Sequence, residues 1–249
     1  MSSSFGALCS DFYVNQRLAL KMDLPTGRET VLDLFDRIRR GRPRMDQFRR
    51  YDGELALESN PQDGAYEWMA LRRTSIRSGC VNPEQLSHAY DLHALILEVA
   101  PYYLSISPLD VDYLELMFGF DLEAKGNHDE IVFDALIADG PLGELFDPET
   151  CIPLDVAPYF TFALDPERRL QATIEVKTRT SEREIEDDKF DDEAISVYLG
   201  LRYRGSLRNI NDLKPLFMNM TMAAERLSHE KVIPLLIQPI TRAINLRSC

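Results

Sequence analysis

Seven arginines crowd residues 37–50: Arg37, Arg39, Arg40, Arg42, Arg44, Arg49 and Arg50. Guanidinium forks match phosphate oxygens bidentately, so Arg39, Arg40, Arg42 and Arg44 are a candidate phosphate or RNA grip. A plainer role competes with it. Arg37, Arg39 and Arg40 fall in the last turn of an expected helix, where cations complement the helix dipole, and Asp33, Asp36, Asp46 and Asp52 are near enough in sequence to neutralise them.

The opposite charge gathers at Glu182, Glu184, Glu186, Asp187, Asp188, Asp191, Asp192 and Glu193. Hard cations take oxygen ligands, but this run lacks the alternating Asp/Asn, central Gly and closing Glu of a calcium loop. It reads as a solvated, mobile link between two strands with no metal bound. The four histidines also form no metal set. His88 and His93 are five apart and so lie on different helix faces, whereas a zinc helix needs a spacing of four. His93 sits in an apolar stripe, as a hydrogen-bonded core histidine does; His128 follows an expected N-cap and His229 an expected helix end.

No G-x-S-x-G elbow, P-loop or G-x-G-x-x-G turn is present, so the familiar nucleophile-elbow and nucleotide-binding classes are not expected, and no motif names a catalytic residue or cofactor. Cys9, Cys80, Cys151 and Cys249 are scattered, form no C-x-x-C pair and read as free thiols. With Cys249 as the final residue of this sequence, no prenylation box is expected.

These residues must be positioned by elements that the apolar periodicity defines. Leu18, Leu20, Met22 and Leu24 alternate with Arg17, Ala19, Lys21 and Asp23, the two-residue period of a half-buried strand. Val31, Leu34, Phe35 and Ile38 recur at helical spacing, with Gly41 and Pro43 as the stop. Asp52-Gly53 joins two short strands, and a turn over residues 60–64 leads into a single strand over residues 66–77. Leu86, Ala89, Tyr90, His93, Ile96 and Leu97 make one stripe of a second helix. The same order then recurs: a strand around Leu114, Leu116, Phe118 and Phe120; a helix with Ile131 and Val132 inward; strands over residues 159–164, 170–178 and 194–203; and a long helix carrying Leu213, Phe217, Met220 and Ala224. Four helix starts share an N-terminal signal, Thr26 with Glu29, Asn82 with Gln85, Asn127 with Glu130 and Asn209 with Asp212.

The expected fold is therefore α+β: a two-layer sandwich of pseudo-twofold tandem β-α-β-β-β-α units, a mainly antiparallel sheet covered on one face by helices. Residues 1–104 make the first half, residues 105–230 the second, and residues 231–249 a C-terminal tail, all in one compact body. Within the tail, residues 232–240 are apolar but too short to span a bilayer, and Pro234 and Pro239 are expected to prevent a continuous helix. Packing on its own body is the favoured fate of this segment, and docking to another subunit the alternative.

The uncovered sheet face would show Arg17, Lys21, Glu115, Met117, Glu175, Lys177, Tyr198, Arg202 and Arg204. Arg17, Lys21, Tyr198, Arg202 and Arg204 are the candidate binding residues for a small anion; a solvated face without a partner is the competing reading. Net charge is −13, and it is unevenly placed: residues 1–104 hold 13 Lys/Arg against 14 Asp/Glu, and residues 105–249 hold 15 against 27. Such a chain repels phosphate backbones, so DNA is an unexpected partner. The Met-Ser-Ser-Ser start lacks the layout of a signal peptide and no run is long enough to cross a bilayer, which makes the cytoplasm the expected location.

The strand at Asn15-Gln16-Arg17-Leu18, the strand from Leu114 to Phe120, and Val197-Tyr198-Leu199-Gly200-Leu201-Arg202-Tyr203 followed by a long helix resemble, in order and spacing, a sporadically distributed bacterial family of uncharacterised proteins built as a duplicated α/β unit. That resemblance implies the doubled fold and carries over no catalytic residue. The leading expectation for function is a non-catalytic cytosolic binding or assembly protein, self-associating or joined to a protein partner through its sheet face or strand edges. The segment at residues 66–71 and the apolar tail are the expected contact surfaces. An enzyme or sensor for a small anionic metabolite is the alternative.

Overall fold

The computed structural model describes residues 5–25, 27–61, 64–147 and 150–247. Its strands are β1 (Asp11–Leu20), β2 (Met45–Tyr51), β3 (Glu54–Ser59), β4 (Tyr66–Arg72), β5 (Ser75–Val81), β6 (Val111–Ala124), β7 (Tyr159–Ala163), β8 (Leu170–Lys177) and β9 (Glu193–Tyr203). The helices are α1 (Arg28–Gly41), α2 (Leu86–Tyr103), α3 (His128–Leu136), α4 (Glu182–Asp187), α5 (Leu213–Leu227) and α6 (Gln238–Arg247), with a π-helical segment, Ser228–Ile237, between the last two. Among the described residues, nine strands form one sheet in the order β2-β3-β4-β5-β1-β6-β9-β8-β7, and every pair is antiparallel.

Alternation explains why one sheet face is dry. On β1, Phe12, Val14 and Leu18 are sealed while Tyr13, Asn15 and Arg17 on the other side are only partly covered. Across the seam their inward neighbours are Phe120, Phe118 and Leu114, all buried. Phe12 meets Phe118 edge-on with centroids 5.6 Å apart, and Phe5 from the preceding 3₁₀ turn closes on both Phe12 and Phe120. Against this floor pack Leu86, Leu92 and Ile96 of α2 and Phe217 and Met220 of α5, completing a core in which each large side chain is almost wholly removed from water.

Outward from the β1–β6 seam, the strands read β1-β5-β4-β3 on one side and β6-β9-β8-β7 on the other. The sheet thus runs in matching order away from its centre, with β2 as an extra strand on the first side. The expected single strand over residues 66–77 is in fact the hairpin β4–β5, turning tightly between Arg72 and its partner Ser75. Arg73-Thr74 at the turn carries none of the Gly, Asn or Asp signals that mark such bends. The first half is accordingly β-α-β-β-β-β-α. The first strand also starts earlier than expected, at Asp11, and ends at Leu20, leaving Met22 exposed.

Of the four expected helix caps, two hold. The Asn127 side chain accepts from the Asp129 and Glu130 amides at the start of α3, and Asn209 and Asp212 form a reciprocal capping box on the short 3₁₀ turn Ile210–Asp212 that runs into α5. Thr26 lies outside the described residues; α1 opens with Gly27 in the N-cap position and no side-chain cap. Asn82 is not a cap. The second helix begins later, at Leu86, and Asn82 adopts a left-handed backbone, φ 47°, at the end of β5. Its carboxamide accepts from the Phe12 amide (2.9 Å) and donates to Asp11 Oδ1 (2.6 Å) and the Gly64 carbonyl (3.2 Å), closing three chain segments together.

Prolines do not break the C-terminal helix. From Leu213 to Arg247 the chain stays helical, passing through a π-helical stretch that contains Pro234. Wider i to i+5 turns accommodate a residue that lacks an N–H, which the expectation of a break did not allow for. Val232, Ile233, Ile237 and Ile240 are buried, so this segment packs on its own body. Arg247 bridges α6 to Glu130 (2.7 Å) and Asp134 on α3, and Lys214 bridges α5 to Glu98 on α2 (2.7 Å). Among the described residues no helix is long and apolar enough to cross a membrane.

Because Asn82 is a polar knot in an αL conformation, Asn82→Ala is expected to destabilise the fold by about 1–3 kcal/mol, losing three hydrogen bonds and gaining a strained backbone. Urea denaturation monitored by circular dichroism checks this; a change within experimental error would show the knot to be dispensable.

Candidate functional site: the uncovered sheet face

Three side chains of the open face converge on one ring. The guanidinium carbons of Arg17 (β1), Arg202 (β9) and Arg204, just beyond β9, lie 5.4, 4.6 and 5.1 Å from the centroid of Tyr113 on β6. Register explains the meeting: Arg17 faces Glu115 across the seam, Glu115 faces Arg202 on the far side, and Tyr113 sits two residues along from Glu115 on the same face. Cation–π attraction at these distances lets one phenol ring hold several cations in a small area. Tyr113 itself is nearly sealed beneath them.

A fourth arginine joins from the other side. Arg77 of β5 is directly opposite Arg17 in the ladder. Two like charges facing each other across a strand pair destabilise the sheet. Burial and then the neighbouring Arg72 and Arg17 push the Arg77 guanidinium below its ordinary pKa. The Nε atoms of Arg17 and Arg77 are both buried without a hydrogen-bond partner. Carboxylates reach only the flanks: Glu54 pairs with Arg72, and Glu115 Oε1 accepts from Arg202 Nε (2.9 Å) and Nη2 (2.5 Å). Among the described residues no carboxylate pairs with Arg17, Arg77 or Arg204.

Further along the same face, aromatic rings lie flat on the sheet. Trp68 covers Gly79 and Tyr13 covers Gly119, and a side chain at either glycine would collide with the ring above it. Tyr198 stands beside Tyr13 with centroids 6.3 Å apart. Asp121 accepts from Ser196 Oγ (2.5 Å) and the Tyr13 hydroxyl (3.3 Å), anchoring this aromatic strip.

The expected anion-binding residues thus separate. Arg17, Arg202 and Arg204 come together around Tyr113. Tyr198 shares their face but belongs to the aromatic strip. Lys21 lies past the end of β1, where its ammonium donates to the Leu109 carbonyl (3.2 Å). Arg77 and Tyr113, the fourth cation and the ring that collects the others, escaped sequence reasoning, although the in-register position of Arg77 opposite Arg17 would have marked it once the hairpin at residues 73–74 was recognised.

The N-terminal arginine group does not assemble into a grip. Arg39 and Arg40 both pair with Asp36 within α1, at 2.9 and 2.6 Å. Arg42 is drawn inward to Glu67 (3.1 Å) and the His88 carbonyl (3.0 Å), and Arg44 stands exposed. Three of the four are therefore committed to the protein itself. The acidic run is a β8–β9 connection, yet it is not irregular throughout: α4 occupies its first part under a Ser181–Glu184 capping box, which draws the Glu184 carboxyl down to about 2 by hydrogen bonds from the Ser181 amide and hydroxyl. Among the described residues no three His, Cys, Asp or Glu side chains are placed to hold a metal ion.

One buried pair has the look of catalytic machinery. Ser78 Oγ is 2.8 Å from His93 Nδ1, and His93 Nε2 is 3.2 Å from the Val14 carbonyl. Both side chains are fully sealed, which denies access to any substrate. The network is structural. Val14 can only accept, so His93 carries its proton on Nε2 and Nδ1 must accept from Ser78. Ser78 has a single proton and so cannot also donate to the Gln16 carboxamide 2.8 Å away. Turning that carboxamide over lets Gln16 donate to Ser78 and gives its otherwise unpartnered Nε2 an acceptor.

A second buried polar cluster holds the approach to β7. Asp129 Oδ1, at the start of α3, accepts from the Val156 amide and the Thr178 hydroxyl, both at 2.8 Å, and Asn127 Nδ2 donates to the Pro153 carbonyl (3.0 Å). The thiols play no comparable part. Burial pushes Cys9 and Cys80 up to about 12, Cys151 is exposed, all three are free, and Cys249 lies outside the described residues. Comparison with known protein families finds no model that matches the chain, and comparison with curated proteins finds no match either.

Burial holds His93 down at about 3, against an ordinary value of 6.5. Between those values the unfolded chain binds a proton that the folded chain refuses, so stability is expected to fall as pH drops through this window. The slope approaches about 1.4 kcal/mol per pH unit. Urea denaturation from pH 7 to pH 4 should give a visibly flatter dependence for His93→Gln than for the unmodified protein; identical slopes would remove His93 as the cause.

Proposed function

We propose that this is a non-catalytic binding and assembly protein that joins a second copy of itself through the outer edge of β7. The single observation that carries this reading is the condition of that edge. Tyr-Phe-Thr-Phe-Ala contains no charge, and all five residues are exposed. Phe160 and Phe162 point to the helix side of the sheet but are left uncovered there, at 60% and 40% exposure. The chain leading to the strand adds exposed Leu142, Leu145, Phe146, Ile152 and Leu154. Apolar surface of this density, next to unpaired strand backbone, is a recognised association hazard unless it is occupied.

The other edge of the sheet is managed differently. On β2, Asp46, Arg49 and Arg50 put charge along the strand, and Phe48 leans on Phe35 of α1 with centroids 5.7 Å apart. Charge on an edge discourages pairing. Two surfaces expected from the sequence drop out. Residues 66–71 belong to β4, an interior strand paired on both sides, and residues 232–240 are packed against the body. An antiparallel β7–β7 contact about a twofold axis would extend the sheet without a break, in the manner of closed isologous dimers.

The ladder says which backbone groups remain free. Pro158 pairs with Val176 and Leu164 with Leu170 by hydrogen bonds, so Phe160 and Phe162 point their backbone groups at β8 while Tyr159, Thr161 and Ala163 point theirs outward. A proline at 161 removes an N–H that the monomer does not use. Sedimentation equilibrium is expected to show concentration-dependent association of the unmodified chain and a monomer for Thr161→Pro with an unchanged circular dichroism spectrum. A chain that stays monomeric at several hundred micromolar, or a Thr161→Pro variant that associates as before, sinks the proposal.

A further inference from the structure

We infer that the arginine cluster around Tyr113 binds a soluble, phosphate-bearing polyanion, the guanidinium groups of Arg17, Arg77 and Arg204 being left unpaired for it. This site lies on the central strands, away from β7, and does not depend on the assembly reading. Its first support is charge arithmetic in the wrong direction for the molecule. A chain of net charge −13 has acid to spare, yet in this patch five arginines, Arg17, Arg72, Arg77, Arg202 and Arg204, meet only two paired carboxylates, Glu54 and Glu115. Like charges that a fold could easily have neutralised are instead set side by side.

Geometry supplies the second support. Arg17 and Arg77 face each other across β1 and β5, with both Nε atoms buried and without partners. Those two atoms are already stripped of water, so for an anion docking on the rest of these half-buried guanidinium groups part of the desolvation cost is already met by the fold. Arg204 is exposed and stacked on the same ring as Arg17, so its fork is presented to solvent in a restricted orientation. Guanidinium planes fixed by stacking lose less entropy when they bind than free side chains do.

The chemistry selects phosphate over carboxylate. One carboxylate satisfies a single fork and leaves most of the surplus charge in place. A tetrahedral phosphate, or two joined phosphates, offers several oxygen faces and two or more negative charges to three converging cations. Extended nucleic acid does not fit. The surplus is confined to one patch, and the rest of the second half is strongly acidic and would repel a long phosphate backbone.

Inorganic pyrophosphate is the probe, with binding followed by isothermal titration calorimetry at low salt. Saturable binding is expected, weakening about tenfold or more in Arg77→Gln and in the exposed-site variant Arg204→Gln, and unchanged in Arg37→Gln on the outer side of α1. A separate signature distinguishes a ligand site from a structural one: without ligand, Arg77→Gln is expected to melt at a higher temperature than the unmodified chain, because it relieves the repulsion with Arg17. Vesicles containing phosphatidic acid form the second arm. Absence of saturation with millimolar pyrophosphate, affinity in the two site variants unchanged from that of the unmodified chain, or co-sedimentation with vesicles in place of pyrophosphate binding would each overturn the inference.

Discussion

Pairing of β1 with β6 is the constraint on which the rest of the molecule depends. The two strands run antiparallel from Asp11 opposite Asp121 to Leu18 opposite Leu114 before the register shifts near Leu20. On the lower side this ladder aligns Phe12, Val14 and Leu18 with Phe120, Phe118 and Leu114, and thereby sets the phenylalanine floor on which α2 and α5 rest. On the upper side the same register brings Arg17 beside Glu115, which places Tyr113 within reach of arginines from both halves. Slipping by one residue would turn the phenylalanines into solvent and the arginines into the core, so the hydrophobic term that fixes the fold also fixes the open face.

Most of the architecture was legible because alternation and helical spacing are strong signals over long segments. β6, β8, β9, α2 and α5 carry uninterrupted patterns, and their inward residues are those the periodicity picks out. Local signals proved weaker where several structures share one spelling. Asn127 stands directly before one helix and Asn82 a few residues before another, yet only the first is a cap. The second is held at the edge of β1 by partners some seventy residues away, a tertiary arrangement that no local pattern encodes. Residues 66–77 read as one strand because Arg73-Thr74 carries no turn residue, although the four polar residues 72–75 interrupt the alternation there, and that misreading hid both the interior position of β4 and the opposition of Arg77 to Arg17.

The candidate site was half legible for a related reason. Its residues are exposed positions of buried strands, and exposure on a strand follows from its period alone; Arg17, Arg202 and Arg204 could therefore be chosen in advance. Which of them meet depends on strand order and register, and the period of a strand encodes neither. The N-terminal arginines show the converse. Their sequence density suggested a grip, whereas Asp36 and Glu67 draw three of them into helix α1 and the α1–β4–α2 junction. Density of charge along a chain says little until the pairing of each charge in space is known.

The long helical rod from Leu213 to Arg247 touches α2 of the first half through α5 and α3 of the second through α6. With the seam, it sets the order in which the parts of a growing chain can meet. β1 leaves the ribosome about a hundred residues ahead of the strand it must pair with, a delay of roughly 5–20 seconds at ordinary elongation rates. Throughout that interval its inner face, Phe12, Val14 and Leu18, can find only the helices and hairpins of its own half. The rod follows both halves and is the piece that ties their helices to each other. Synthesis therefore builds a half-sheet that waits, then a second that joins it, and finally a clasp.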